Sequence, residues 1–179
     1  MRNIMYIKIL ILLFGYIYKV YMVNVQINND EDSMNNFIDK INELSLNTDN
    51  DEITMIFDDD EYKISNKGRN IFNLYTSLIF EGNNGTVFDF QESGSQFNFI
   101  FKPQASNVKI IFKNIHFRNY KIGEYLMFFS ITYNNNNFHI EFDNCIFDDI
   151  QTLMINVFYT TLKITQSSPQ MSFNNCEFK

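Results

Sequence analysis

The chain has 179 residues, 45% of them apolar, and 21 acidic against 14 basic side chains give a net charge of −7. That length fits one domain and that apolar share fills a real core. The acidic balance, without a local basic patch, excludes nucleic acid as an expected partner.

Arg2 and Lys8 flank the start of an apolar run, Ile9 to Tyr18, which Lys19 interrupts. A basic start followed by an apolar stretch too short to span a bilayer has the form of a secretory signal. Residues 1–24 are read as a signal peptide. The alternative is an uncleaved signal anchor with Lys19 snorkelling, and it is the sole route to a membrane in this reading. The segment holds three bases and no acid, so the chain without it carries −10. A secreted or extracellular-surface location follows. It makes Asn84 of Asn84-Gly85-Thr86 a candidate glycosylation acceptor.

Residues 25–52 are expected to form an N-terminal capping region. Met34, Phe37, Ile38, Ile41 and Leu44 recur at helical spacing within 33–46, and Ser33 is the candidate N-cap. One apolar stripe needs a surface to cover, and the open end of a strand stack offers one.

After Asn50 the period becomes two, and residues 53–179 read as coils of short strands. Ile53–Phe57, Tyr62–Ile64, Leu78–Gly82 and Phe97–Phe101 alternate apolar and polar positions, with turns at the acidic run Asp58–Glu61 and at Asn83-Asn84-Gly85. One motif is then written three times: Phe112-Lys-Asn114-Ile115-His-Phe117, Phe142-Asp-Asn144-Cys145-Ile-Phe147 and Phe173-Asn-Asn175-Cys176-Glu-Phe178. The copies lie 30 and 31 residues apart, and Phe80 precedes the first by 32, with Gly82 where Asn114 stands. Tyr125-Leu126-Met127-Phe128 and Thr152-Leu153-Met154-Ile155 look like a second repeating strand, with Phe97–Phe101 as their counterpart.

Within each copy the alternation slips by one residue at the asparagine. Such a slip would turn a continuous strand inside out, so its recurrence marks a bend. Asn suits a bend because it tolerates left-handed backbone and bonds nearby peptide groups. Repeats of this length stacked on themselves form a β-solenoid. Phe112, Phe142 and Phe173 then stack inside, as do Ile115, Cys145 and Cys176, and Phe117, Phe147 and Phe178. Asn114, Asn144 and Asn175 line up as a side-chain ladder. Outside, Arg118, Asp148 and Lys179 alternate in sign and Lys113 meets Asp143. Cys145 and Cys176 fall on neighbouring coils, within disulfide reach. A disulfide and a pair of buried thiols both remain open.

The Phe-x-Asn-(Ile/Cys)-x-Phe coils, the Gly82-Asn-Asn-Gly85 turn and the helix before the first strand resemble the right-handed parallel β-helix proteins of the pectin-lyase-like superfamily over roughly residues 33–179. The resemblance implies an all-β, single-stranded parallel β-helix. It does not imply one activity. Hydrolases of that superfamily use clustered aspartates with Gly-His-Gly and Arg-Ile-Lys segments; here Asp148-Asp149 stand without either. Its lyases hold Ca²⁺ on several aspartates beside a basic residue, for which Asp143, Asp148, Asp149 and Arg118 are the matching types. An exposed ion pair with Arg118 explains Asp148 more simply.

Asp58–Glu61 lacks the alternation and glycine of an EF-hand loop and reads as a solvated turn. His116 and His139 face outward on different columns with no nucleophile beside them. No catalytic, cofactor-binding or metal-binding residue is assigned, and no cofactor is expected. Tyr120, Tyr125, Tyr133 and Tyr159, in or near loops, are candidates for stacking on sugar rings.

Lys179 follows Phe178 without a turn or cap, so the stack reads as open: part of a longer β-helix, or paired with another chain. The expected function is that of a non-catalytic secreted or cell-surface β-helix protein, an adhesive, carbohydrate-binding or structural module. Its expected partners are polysaccharide or a second β-helix chain at the open end. The alternative is a fragment or degenerate relative of a polysaccharide lyase or glycoside hydrolase acting on acidic polysaccharide.

Overall fold

The computed structural model describes residues 22–46, 51–64, 69–102, 107–131, 138–159 and 169–179. The signal reading falls on residues 1–21, outside them, except for its last three positions. Those three open a strand that the sequence reading does not anticipate. β1 (Met22–Ile27) alternates Val23, Val25 and Ile27 against Met22, Asn24 and Gln26, and it pairs in parallel with β2 (Glu52–Phe57).

Between them lies α1 (Glu31–Leu46). Its N-cap is Asp30, not Ser33: the Asp30 carboxylate accepts the Ser33 N–H and the Ser33 hydroxyl, both at 2.8 Å. Ser33 thus sits in the first turn, where its amide is one of the orphan donors that a cap satisfies. The expected stripe faces inward, with Phe37 and Ile41 buried and Met34, Ile38 and Leu44 packed against the core. On the same helix Asn42 spans two peptide groups of β4 (Arg69–Leu74). Its Nδ2 donates to Ile71 O at 3.0 Å and its Oδ1 accepts from Asn73 N at 2.7 Å. Ser45 Oγ accepts from Tyr75 N at 2.9 Å. The side chains of α1 supply hydrogen bonds that a neighbouring strand would otherwise make.

The remaining strands are β3 (Glu61–Lys63), β5 (Ser77–Asp89), β6 (Gln96–Phe101), β7 (Val108–Tyr120), β8 (Tyr125–Ile131), β9 (Phe138–Asp143), β10 (Ile146–Ile150), β11 (Leu153–Tyr159), β12 (Met171–Asn174) and β13 (Glu177–Phe178). The paired strands run parallel and build a nine-stranded and a four-stranded sheet. The result is a parallel β-solenoid of about four turns. The larger sheet bends along a line of corners. β1, β2, β9 and β12 lie on one arm and β3, β10 and β13 on the other, while β5 and β7 run through both.

The repeat register is that of the motif: Phe80 pairs with Phe112, Phe112 with Phe142 and Phe142 with Phe173. In the four-stranded sheet, however, Tyr125 pairs with Leu153 and Met127 with Ile155. Matching the shared Leu-Met pair misplaces this strand by one residue. Alternation decides instead: Met127, Phe129 and Ile131 point inward and pair in register with Ile155, Val157 and Tyr159, whereas the other register would set Asn156 against buried Phe129.

Phenylalanine fills the interior. Parallel rings recur at 4.9 Å between Phe80 and Phe112, 5.0 Å between Phe112 and Phe142, and 4.9 Å between Phe142 and Phe173. A second column sets Phe117 on Phe147 at 5.1 Å and Phe147 on Phe178 at 5.3 Å. The ring separation matches the inter-strand spacing of a sheet, so each coil places its ring on the one before. Phe112, Phe142, Phe117 and Phe147 are buried, whereas Phe173 and Phe178 are 38% and 59% exposed.

Candidate functional site

Asn114, Asn144 and Asn175 all adopt left-handed backbone, at φ 57°, 54° and 53°. That conformation makes the bend, and the short polar side chain makes it tolerable for a residue with a Cβ. Asn144 Nδ2 donates to Asn114 Oδ1 at 2.8 Å. On the earlier coil the corner is widened. Glu81 pairs with Lys113 and Thr86 with Ile115, so residues 82–85 stand opposite Asn114 alone. Gly85, at φ 95°, rather than Gly82, takes the left-handed position before the second arm of β5. Gly82 meets a different need: a Cβ there would lie 2.6 Å from the Asn114 carbonyl oxygen. Asn84 belongs to this bulge; its side chain lies outside the described residues.

A second line of corners, which the sequence reading misses, runs through Gln91 and Glu92, Asn119 and Asp149, all with positive φ. Asp149 is therefore a corner residue. Lys121 bridges it at 3.1 Å to Glu92 at 2.6 Å, and this pairing holds the Asp149 carboxyl below its usual range.

Arg118 is opposite Asp148 in register, yet its guanidinium turns the other way. It bonds Asp89 Oδ2 at 3.0 Å and reaches Glu61 Oε2, two coils back, at 2.9 Å. The reason is local. Asp89 is buried and already fixed by the Gln91 N–H at 2.8 Å and the Asn119 amide at 3.0 Å, so it is a preorganised acceptor. Burial pushes the Asp89 carboxyl up, but its bonds to Asn119, Gln91 and Arg118 outweigh this and hold it below the ordinary range. The half-exposed Asp148 instead lies 3.5 Å from His116. Lys113 stands across from Asp143 in register, with no ion pair between them among the described contacts.

His139 contacts Pro169 O at 2.9 Å and Glu141 at 3.0 Å. Cys145 and Cys176 are free thiols on neighbouring coils, and each donates to a carbonyl of the preceding coil, Phe112 O and Phe142 O, at 3.4 Å. Burial pushes the Cys145 thiol up to about 12. Tyr120 and Tyr125 are core residues rather than sugar platforms: both are buried, and the Tyr120 hydroxyl donates to Tyr125 O at 2.6 Å. Tyr133 and the Tyr159 side chain lie outside the described residues. Among the described residues, no group of three or more His, Cys, Asp or Glu side chains is placed to hold a metal ion.

Asp89, Asp148 and Asp149 are thus taken up by corners and ion pairs, and a concave surface lies elsewhere. On the outer face of β1, β2 and β5 a groove of about 330 Å³ is lined by Met22, Asn24, Thr54, Ile56, Asp58, Glu81, Gly82 and Asn83. Its residues are outward positions of adjacent strands: Asn24 beside Thr54, Ile56 beside Glu81. The Gly82–Gly85 bulge and the acidic turn after β2 border it. The turn is an ordered element, since Asp59 accepts from Asn29 N at 2.8 Å and Asp58 accepts from the Gln26 amide. Beneath it Tyr62 donates its hydroxyl to Ile27 O at 2.7 Å, and burial raises that phenol to about 12. Sequence reasoning misses the groove because it needs β1. The available signal is the alternation of Val23, Val25 and Ile27.

No protein-family model, curated protein or solved structure matches this chain. The fold and the groove define the class of protein as a parallel β-solenoid with a polar cleft on one outer face.

Proposed function

We propose that this is a non-catalytic, secreted or cell-surface carbohydrate-binding β-solenoid, a relative of the pectin-lyase-like superfamily. The observation that carries the reading is the groove across β1, β2 and β5. Amide, hydroxyl and carboxylate groups of Asn24, Thr54, Asn83, Asp58 and Glu81 border it, with Ile56 and Met22 as apolar surface. Its volume is at the lower end of ligand pockets, about 300–1,000 Å³. A sugar presents hydroxyls at its edge and C–H groups on its face, and this lining matches both.

The non-catalytic part rests on what the conspicuous carboxylates do. Asp89 and Asp149 are held by Arg118 and Lys121, and Asp148 lies beside His116. In this reading the Asn114–Asn144 bond continues to Asn175 as a ladder, and the basic, apolar start of the chain directs export, with the signal ending before Met22 so that β1 and the groove lining stay in the exported protein. Oligosaccharide-array binding, paired with an assay for new reducing or unsaturated sugar ends, tests it. Binding without turnover is expected, and Ile56→Arg abolishes it. Turnover lost in Asp148→Ala or Asp149→Ala would establish the hydrolase or lyase alternative instead.

A further inference from the structure

The groove has charge of one sign. Asp58 and Glu81 line it together with neutral polar and apolar side chains, and no lining residue is basic. Asp58 spends one oxygen, Oδ2, on the Gln26 amide. Glu81 enters no ion pair among the described residues, and its in-register neighbour Lys113 stands on β7, one strand beyond the groove. The chain as a whole carries −7. A ligand with its own carboxylates would meet two more in a cleft of lowered dielectric, under a repulsive long-range field. A ligand with a protonated amine meets the reverse.

We infer that the groove selects amino sugars, saccharides carrying a free ammonium group, over neutral sugars and over uronates. This rests on the carbohydrate-binding reading and names its ligand class. The ammonium lies between the Asp58 and Glu81 carboxylates and the C–H face of the ring lies on Ile56. Asn24 and Asn83 meet the hydroxyls. Such selection runs opposite to that expected of a protein acting on acidic polysaccharide.

Titration calorimetry of the full chain with three tetrasaccharides tests this: fully deacetylated glucosamine, N-acetylglucosamine and galacturonate. The glucosamine tetramer should bind about tenfold or more tighter than its acetylated form, with affinity falling as salt rises. Glu81→Gln, a substitution at a half-exposed strand position, should bring the two to within about twofold of each other. Asn24→Lys, which adds a cation to the same groove, should do likewise. Equal or tighter binding of the acetylated or galacturonate tetramer overturns the amino-sugar inference and leaves carbohydrate binding standing. Amino-sugar binding that neither substitution weakens overturns the assignment to this groove. Absence of binding to all three overturns both readings.

Discussion

Asn144 donates its side-chain Nδ2 to Asn114 Oδ1 at 2.8 Å across neighbouring coils, and both residues hold left-handed backbone, at φ 54° and 57°. The backbone and the side chain contribute separately. Asn144→Ala keeps neither advantage and should lower stability by about 1–2 kcal/mol. Asn144→Gly restores the backbone freedom and should cost roughly half as much. Urea unfolding of the two variants measures the difference. Equal losses would mean that the side-chain bond, rather than the bend, is what asparagine provides.

Arg118 pairs with Asp89 and Glu61 in preference to its in-register neighbour Asp148, so charge-removing substitutions should rank the carboxylates. Asp89→Asn should cost about 1–2 kcal/mol at neutral pH, a value discounted because Arg118 is a third exposed. Asp148→Asn, at a more exposed position, should change stability by less than about 0.5 kcal/mol. The sign with pH follows from Asp89, whose folded pKa is lowered. Its stabilisation is complete above the unfolded value, near 4, and is lost as pH falls through the lower folded value. The stability gap between the native chain and Asp89→Asn should therefore stay constant from about pH 7 to 5 and close below about pH 4. A gap that widens on acidification would contradict this pairing.

The two thiols should differ in reactivity although they share a column. Cys145 is fully buried with its thiol pushed up to about 12, while Cys176 is partly exposed and shifted the same way by burial. Since the thiolate is the nucleophile, iodoacetamide at about pH 8 should label Cys176 first, and Cys145 at least roughly tenfold more slowly until the chain unfolds. Mass spectrometry reads the order. Labelling of neither before a reductant is added would show the bridged form.

Gly82 should tolerate no side chain. An added Cβ would meet the Asn114 carbonyl at 2.6 Å and Thr86 Cβ at 2.8 Å, both fixed by the sheet. Gly82→Ala should cost about 1–3 kcal/mol, as overpacking does. It should also weaken ligand binding, since the bulge borders the groove. Unchanged stability would mean that the bulge moves freely against β7.

The two phenylalanine columns make a graded prediction. Phe142 has a ring on each side, at 5.0 and 4.9 Å, and is fully buried, whereas Phe178 is 59% exposed. Phe142→Ala should cost about 3–5 kcal/mol. Phe178→Ala should cost under half of that by calorimetry or denaturant unfolding.

The coil architecture was legible in the chain because a bend between strands leaves a one-residue slip in an otherwise strict alternation. Three asparagines at that slip set the repeat length and the inward columns. The helix was legible for the same reason, one apolar stripe at helical spacing. Its cap was not, because Asp30 and Ser33 are both competent and only the entry geometry chooses. The register of β8 with β11 was misread because a shared Leu-Met pair imitates homology, while burial of Met127, Phe129 and Ile131 sets the true alignment.

What the sequence by itself determined is periodic: strand positions, corner residues and the stacked interior, since these depend on neighbours a fixed number of residues apart. The tertiary structure alone decided the choice of partners between coils. Arg118 turns to Asp89, and through it reaches Glu61, because the Asp89 carboxylate is already held by Gln91 and Asn119, which no charge count reveals. Likewise Asn24, Ile56, Asp58 and Glu81 are unremarkable in the chain. They become a groove only when the parallel register of β1, β2 and β5 sets their outward faces side by side.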